Sequence, residues 1–214
     1  MEFTEDAIAR EYEMLSQNYR GYKFPLMHRR IKPTDTIQLA KVIKENYQAL
    51  KGFVGWATYS DKWDFKEVNR FVMDHVNDDF LRQHFIFTLG KEIVGMGSLL
   101  PMKTPYHAQV SLWVVRKHQG NGIGRAIVKT LEWYAFEVWG FDSLFYEHDA
   151  YNESSKQLPQ KLGYQFSHTF ESKINAAQET GFWFSWRKNR PSDMSPGIFQ
   201  GAPIDQFTDI RHKV

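Results

Sequence analysis

Residues 113–124 read W-V-V-R-K-H-Q-G-N-G-I-G, an apolar strand joined to a helix by a turn with glycine at three alternate positions, Gly120, Gly122 and Gly124. No other stretch constrains the chain as tightly. Glycine removes the Cβ atoms, so several backbone N–H groups can converge at the start of the helix, where the helix dipole already favours an anion. A phosphate-bearing ligand suits such a cradle. Behind it Ile123, Ile127, Leu131, Tyr134 and Val138 recur at helical spacing and give the helix one buried face, and Gly140 ends it. The same glycine pattern also describes a plain tight connection, so the neighbours decide. A dinucleotide fold wants G-x-G-x-x-G near the first strand, and a P-loop wants Lys then Ser or Thr where Arg125 and Ala126 stand. Both fit poorly.

The 214 residues are 42% hydrophobic with no cysteine, which predicts one domain, or one domain with extensions. Disulfides, thiolate metal sites and a cysteine nucleophile are excluded, and no metal site is expected. A formal net charge of +2 gives no electrostatic footprint for nucleic acid, and Arg29, Arg30 and Lys32 read as a solvated strand face. The chain opens with Glu2, Glu5 and Asp6 and has no run approaching a membrane span, so a cytoplasmic protein without a membrane partner is expected.

In chain order, residues 4–19 read as an appended helix, 26–31 as a strand and 37–50 as a helix capped from the turn at Pro33 and Asp35. An aromatic connection follows, with Trp56, Tyr59, Trp63 and Phe65, which suits either a packed loop or a wall of an acceptor site. Asp64 and Glu67 form a capping box for the next helix. Strands over 85–89 and 93–99 meet at Gly90 and Lys91, and Gly95 and Gly97 mark a bulge or a close neighbour. The strand over 106–115 delivers the cradle. The next one, over 142–149, should lie parallel beside it through a right-handed crossover. A short helix ends at Gly163, residues 180–186 close the sheet, and prolines and glycines make an extended tail. The expected division is an N-terminal helical extension at 1–24, a catalytic domain at 25–187 and a C-terminal tail at 188–214.

Several ordered motifs together resemble the GNAT N-acetyltransferases. The cradle resembles that family's acyl-CoA signature, Arg/Gln-x-x-Gly-x-Gly/Ala. Asn152-x-x-Ser155 followed by Lys161-Leu162-Gly163-Tyr164 resembles its N-x-x-S/A…E-K-L-G-F. N-x-x-x-L-x-x-F-V-G-W at 46–56 and V-S-L-W-V at 110–114 resemble segments of the branch that acetylates N-termini of ribosomal proteins. The resemblance covers residues 26–186.

It implies an α/β (α+β) GNAT fold: a mixed, mostly antiparallel central sheet, flanked by helices, whose strands before and after the cradle helix splay apart. It implies acetyl-CoA as donor. Gln119, Gly120, Asn121, Gly122, Ile123, Gly124 and Arg125 would bind the pyrophosphate, and Val114, Val115 and Arg116 the pantetheine arm, like an added strand. Asn152 would hydrogen-bond the cofactor, and Ser155 would sit near its sulfur. The reaction would be direct attack of a primary amine, from a protein N-terminus or a small molecule, without a covalent enzyme intermediate, by a monomer or homodimer.

Many members place a tyrosine acid where this chain has Pro159, and a glutamate base where the nearest polar residue is Gln109. Ser155 is then the candidate at the leaving thiolate, against a plain capping role. Glu147 is the first candidate base, ahead of His107, His148 or a water relay. Trp56, Tyr59 and Trp63 would border the acceptor. The competing reading is a degenerate domain that binds acyl-CoA or a partner without turnover.

Overall fold

The computed structural model describes residues 25–54, 57, 64–76, 83–174 and 176–193. The expected helix over 4–19, the aromatic residues Trp56, Tyr59 and Trp63, and residues 194–214 of the tail lie outside them. Among the described residues one sheet holds β1 (Leu26–Arg30), β2 (Gln83–Leu89), β3 (Glu92–Pro101), β4 (His107–Val114), β5 (Ser143–Asp149), β6 (Gln165–Glu171) and β7 (Phe182–Asn189). Its order is β1-β2-β3-β4-β5-β7-β6, antiparallel throughout except for β4 beside β5. Four α-helices among the described residues flank it: α1 (Thr36–Phe53), α2 (Phe65–Val76), α3 (Ile123–Trp133) and α4 (Glu153–Lys161).

Strand alternation sets the layers. Phe85 and Phe87 of β2 face the core under α3, with Val94, Val110, Ile127, Leu131 and Leu144. Ile86 between them faces the opposite core with Ile93 and Trp113, against Leu39, Ile43 and Leu50 of α1 and Val68 and Val72 of α2. Central strands buried on both faces therefore read as continuous apolar runs, and α1 shows its buried stripe at helical spacing. Asp64 accepts a hydrogen bond from the Glu67 amide at 3.1 Å, which is one half of the expected capping box; Glu67 Oε2 has no partner among the described residues.

Three details differ from the sequence reading. Strand β6 was not expected, and it, not the segment before Trp186, forms the sheet edge; β7 lies between β5 and β6. A register shift between Phe166 and His168 breaks the period-two pattern that would have marked β6, and its residues are mostly exposed. The cradle helix is α-helical only to Trp133. Tyr134–Val138 form a π turn, with Trp139 donating to the Tyr134 carbonyl at 2.9 Å, before Gly140 ends it at φ 68°. Finally, Arg29 is not simply solvated. Its guanidinium donates to both carboxylate oxygens of the buried Asp35, which also accepts from the Lys32 amide at 2.8 Å and so fixes the turn into α1.

The Tyr134 hydroxyl lies 3.3 Å from Nε2 of His28, whose ring also stacks on Phe87. Burial pushes the His28 imidazole down from 6.5 to about 4. A histidine held neutral in the fold but free to protonate when unfolded contributes stability that is present above pH 6.5 and is lost as pH falls toward 4. The loss should reach about 3 kcal/mol. Urea unfolding across that window should show the slope in wild type and a flatter profile in His28→Phe.

Candidate active site

β4 and β5 pair only from His107 with Ser143 to Val110 with Tyr146. Beyond that point β4 stays with β3 as far as Val114 opposite Gly95, while β5 stays with β7 as far as Asp149 opposite Trp183. The sheet opens into a V. The Val115 amide donates to the Val94 carbonyl at 2.9 Å, which makes Val114 and Gly95 a non-hydrogen-bonded pair. Val114, and Leu112 two residues earlier, therefore turn their peptide groups away from β3 into the opening. Val115 and Arg116 do not: their carbonyls accept from His118 and Gln119, and the Arg116 amide donates to Asn46 Oδ1 at 2.9 Å. Asn46, on α1, also donates to the Val42 carbonyl at 2.8 Å, so one buried side chain ties α1 to the end of β4.

The turn into α3 is held from both ends. Glu92 on β3 pairs with Lys117 and with His118 at 3.1 Å, and Lys117 keeps its carboxyl below the usual carboxylate range. Gln119 Nε2 donates back to the Val114 carbonyl at 3.0 Å. Gly120 and Gly122 adopt φ 77° and 85°, the left-handed region that favours glycine. Gly122 is the N-cap of α3, and the first intrahelical bond runs from the Ala126 amide to its carbonyl at 3.1 Å. The amides of Ile123, Gly124 and Arg125 thus precede the helix ladder and have no acceptor within it. This arrangement fits an anion.

The V, α1, the turn and the start of α4 surround a cleft of about 230 Å³. Of the expected ligand-binding residues it brings together Val114, Gln119, Gly120, Gly124, Asn152 and Ser155; Val115, Arg116, Asn121, Gly122, Ile123 and Arg125 flank or support that wall without lining it. It adds Asn46, Leu112, Trp113 and Tyr146, which the sequence did not single out as site residues. The Trp113 indole N–H, in a residue 7% exposed, has no partner among the described residues.

Asn152 caps α4: its Oδ1 accepts from the Ser155 amide at 3.1 Å and from Ser154 Oγ at 2.8 Å. Its side-chain NH₂ remains to donate. The Ser155 hydroxyl takes no part in these capping bonds and borders the same cleft as the buried Tyr146 phenol. Burial pushes that phenol up to about 12, and the nearby Ser155 hydroxyl opposes the shift. Pro159 is buried within α4 and removes the amide that would have bonded the Ser155 carbonyl.

The candidate bases separate cleanly. His148 is buried with Nδ1 2.8 Å from the Asp149 carbonyl and Nε2 accepting from Trp186 Nε1 at 3.0 Å, so its lone pair is already engaged. Burial also holds it below the usual histidine range. His107 lies at the far end of β4 from the cradle. Glu147 alternates away from Tyr146, onto the other face of β5, where Ser185 Oγ donates to it at 3.4 Å. It stands beside the V but outside the cleft lining.

Residues 54–164, just over half of the chain, match the acetyltransferase (GNAT) family. The chain belongs to that family. As a GNAT acetyltransferase it is an acetyl-CoA-dependent N-acetyltransferase, as the sequence motifs implied. Solved structures share its fold. RimL, a ribosomal L7/L12 alpha-N-protein acetyltransferase in complex with coenzyme A, matches at 13% identity and a TM-score of 0.72, over 78% of this chain and 96% of that one. RimJ of Mycobacterium smegmatis with a CoA disulfide matches at 13% and 0.69, over 78% and 82%. The ribosomal-protein-S5-alanine acetyltransferase of Vibrio fischeri matches at 21% and 0.62, over 80% and 96%. None of the curated proteins matches the chain in sequence. No helix among the described residues is long and apolar enough to cross a membrane.

Proposed function

We propose that acetyl-CoA lies in the V between β4 and β5 and that this GNAT acetyltransferase passes its acetyl group to a protein N-terminus. The observation that carries the placement is the splay itself, which turns peptide groups of Leu112 and Val114 toward an opening that ends at a glycine-lined helix N-terminus. The diphosphate would meet the amides from Gly120 to Arg125, and the pantetheine arm would add to β4 as a short strand. The Asn152 NH₂ would bond that arm, and Ser155 would face the sulfur.

The acceptor amine must be neutral to attack the thioester carbon. Glu147, beside the V on the face away from Tyr146, is the candidate to take its proton. With no cysteine in the chain, direct attack accounts for the transfer. An N-terminal acceptor is supported by the ribosomal-protein acetyltransferases among the structural neighbours, and a ribosomal acceptor would place the reaction in the cytoplasm. Residues 177 and 178 bond their amides to the carbonyls of Lys51 and Gly52, and Asp149 holds the Thr180 amide at 2.7 Å. The loop before β7 is thereby pinned to the C-terminal end of α1 and to the end of β5. Trp56, Tyr59 and Trp63, which follow α1 in the sequence, we assign to the acceptor.

Thiol release from acetyl-CoA with peptides of varied N-terminal residue, and with polyamines and amino acids, tests this reading. Release with peptides supports it, release with small amines alone moves the acceptor to that class, and acetyl-CoA binding with no release from any amine overturns the transfer. Ser155→Ala should lower kcat at least about tenfold while leaving acetyl-CoA affinity nearly unchanged, because the lost bond strengthens only as charge develops on sulfur. Wild-type turnover in that variant would remove Ser155 from the mechanism.

A further inference from the structure

The wall that α1 gives the cleft is apolar except at one position: Asn46 lines it with Ala49, Leu50 and Phe53. Asn46 is 8% exposed, so its carboxamide needs partners in the protein or in a ligand. Two bonds are in place, and together they settle its orientation. Oδ1 accepts from the Arg116 amide at 2.9 Å and Nδ2 donates to the Val42 carbonyl at 2.8 Å; exchanging oxygen for nitrogen would set donor against donor and acceptor against acceptor. A carboxamide nitrogen carries two protons, and among the described residues only Val42 accepts one. Val42 lies one turn back on α1, so the second proton diverges from the helix. A buried donor without an acceptor costs stability, and the cleft is where an acceptor can arrive.

Resting on the reading that the pantetheine arm lies in the V, we propose that Asn46 is a cofactor-binding residue: its second Nδ2–H donates to an amide carbonyl of that arm. The arm is a chain with two amide groups, and each carbonyl that leaves water for the cleft needs a donor. Leu112 and Val114 offer peptide groups along β4, and Asn152 offers its NH₂ from α4. Asn46 completes the set from the other face of the sheet, since Leu158 of α4 packs on the core under α3 and Leu50 of α1 belongs to the opposite core. The two asparagines are built alike. In each the oxygen is spent on a backbone amide, Arg116 for one and Ser155 for the other, which leaves nitrogen for the ligand. Because Asn46 holds the Arg116 amide, just past the end of β4, it would meet the carbonyl nearer the diphosphate.

Calorimetric titration of the full chain with acetyl-CoA, and with the adenosine bisphosphate fragment of coenzyme A, separates the arm from the cradle, because the fragment carries the nucleotide end alone. Wild type should bind acetyl-CoA more tightly than the fragment. In Asn46→Ala that advantage should shrink at least about fivefold. A residue that served only to hold Arg116 and the turn would weaken both ligands alike and leave their ratio unchanged.

An unchanged ratio in folded Asn46→Ala therefore overturns this inference alone. Wild type that binds the two ligands equally, or binds neither, shows that the arm is not held in the V, and the reading beneath the inference fails with it. Should Asn46→Ala not fold, the side-chain NH₂ signals of Asn46 in wild type decide. One of the two protons should shift on adding acetyl-CoA well beyond its shift with the fragment. Equal shifts with the two ligands would overturn the proposal as well.

Discussion

Gly122→Asp should abolish measurable stabilisation of the protein by acetyl-CoA while leaving the free protein folded. Gly122 is the N-cap of α3 with φ 85° and ψ −6°, so any side chain there costs about 1 kcal/mol of left-handed strain. A carboxylate at a helix N-terminus returns roughly 0.3–1 kcal/mol of that. The melting temperature without ligand should therefore move little. With ligand the same carboxylate competes for the amides of Ile123, Gly124 and Arg125 and faces the diphosphate. Two like charges at about 4–5 Å with an effective dielectric constant near 20 repel by about 3–4 kcal/mol. That is more than about a hundredfold in affinity. Gly122→Asn supplies the control, since asparagine tolerates the left-handed region and brings no charge. Calorimetric titration should show a modest loss for asparagine and none of the wild-type binding for aspartate. Equal affinity in a folded aspartate variant would mean that the diphosphate lies elsewhere.

The cradle was legible because its signal is local: glycines at fixed spacing between a strand and a helix leave few conformations, and Gly120 and Gly122 adopt them. The parallel placement of β5 beside β4 followed from chain handedness alone. The two glycines of β3 carry both meanings the sequence allowed. Phe87 pairs with Gly95 and Thr88 with Ile93, leaving Val94 as the extra residue of a bulge, and α3 packs directly over the strand.

What stayed hidden depends on contacts distant in sequence. Tyr146 reads as one more apolar strand residue until the end of the β4–β5 ladder places it at the cleft beside Asn152 and Ser155. Strand alternation could have separated it from Glu147, since neighbours on a strand face opposite sides. Asn46 carried a motif resemblance but no role, because its partner is the Arg116 amide 70 residues away. His148 looked like a base from its type alone, and only the Trp186 indole shows that its nitrogen is engaged.

The bulge and its glycines lead to the second large effect, which falls on stability and reaches the site through α3. A Cβ on Gly97 would stand 2.5 Å from Ile127 Cγ2 and 3.2 Å from Leu131 Cδ1 and Phe87 Cε2, all in fully buried side chains. Ile127 is β-branched and restricted to few rotamers in a helix, so it cannot swing aside. Either α3 lifts from the sheet or the strand shifts. Gly97→Ala should cost about 1–3 kcal/mol by overpacking. Ile127→Ala alone should cost about 2–5 kcal/mol, because it opens a cavity in the same place. Together the two changes exchange volume across one contact, so the double variant should be more stable than the sum predicts by at least about 1 kcal/mol. Urea unfolding of the four proteins measures this coupling. Because α3 carries the amides that meet the diphosphate, Gly97→Ala should also weaken acetyl-CoA binding, and Ile127→Ala in the same chain should restore much of it. Additive stabilities would show that Gly97 and Ile127 do not touch, and intact binding in Gly97→Ala would show that the cradle keeps its place without the close packing of α3 on β3.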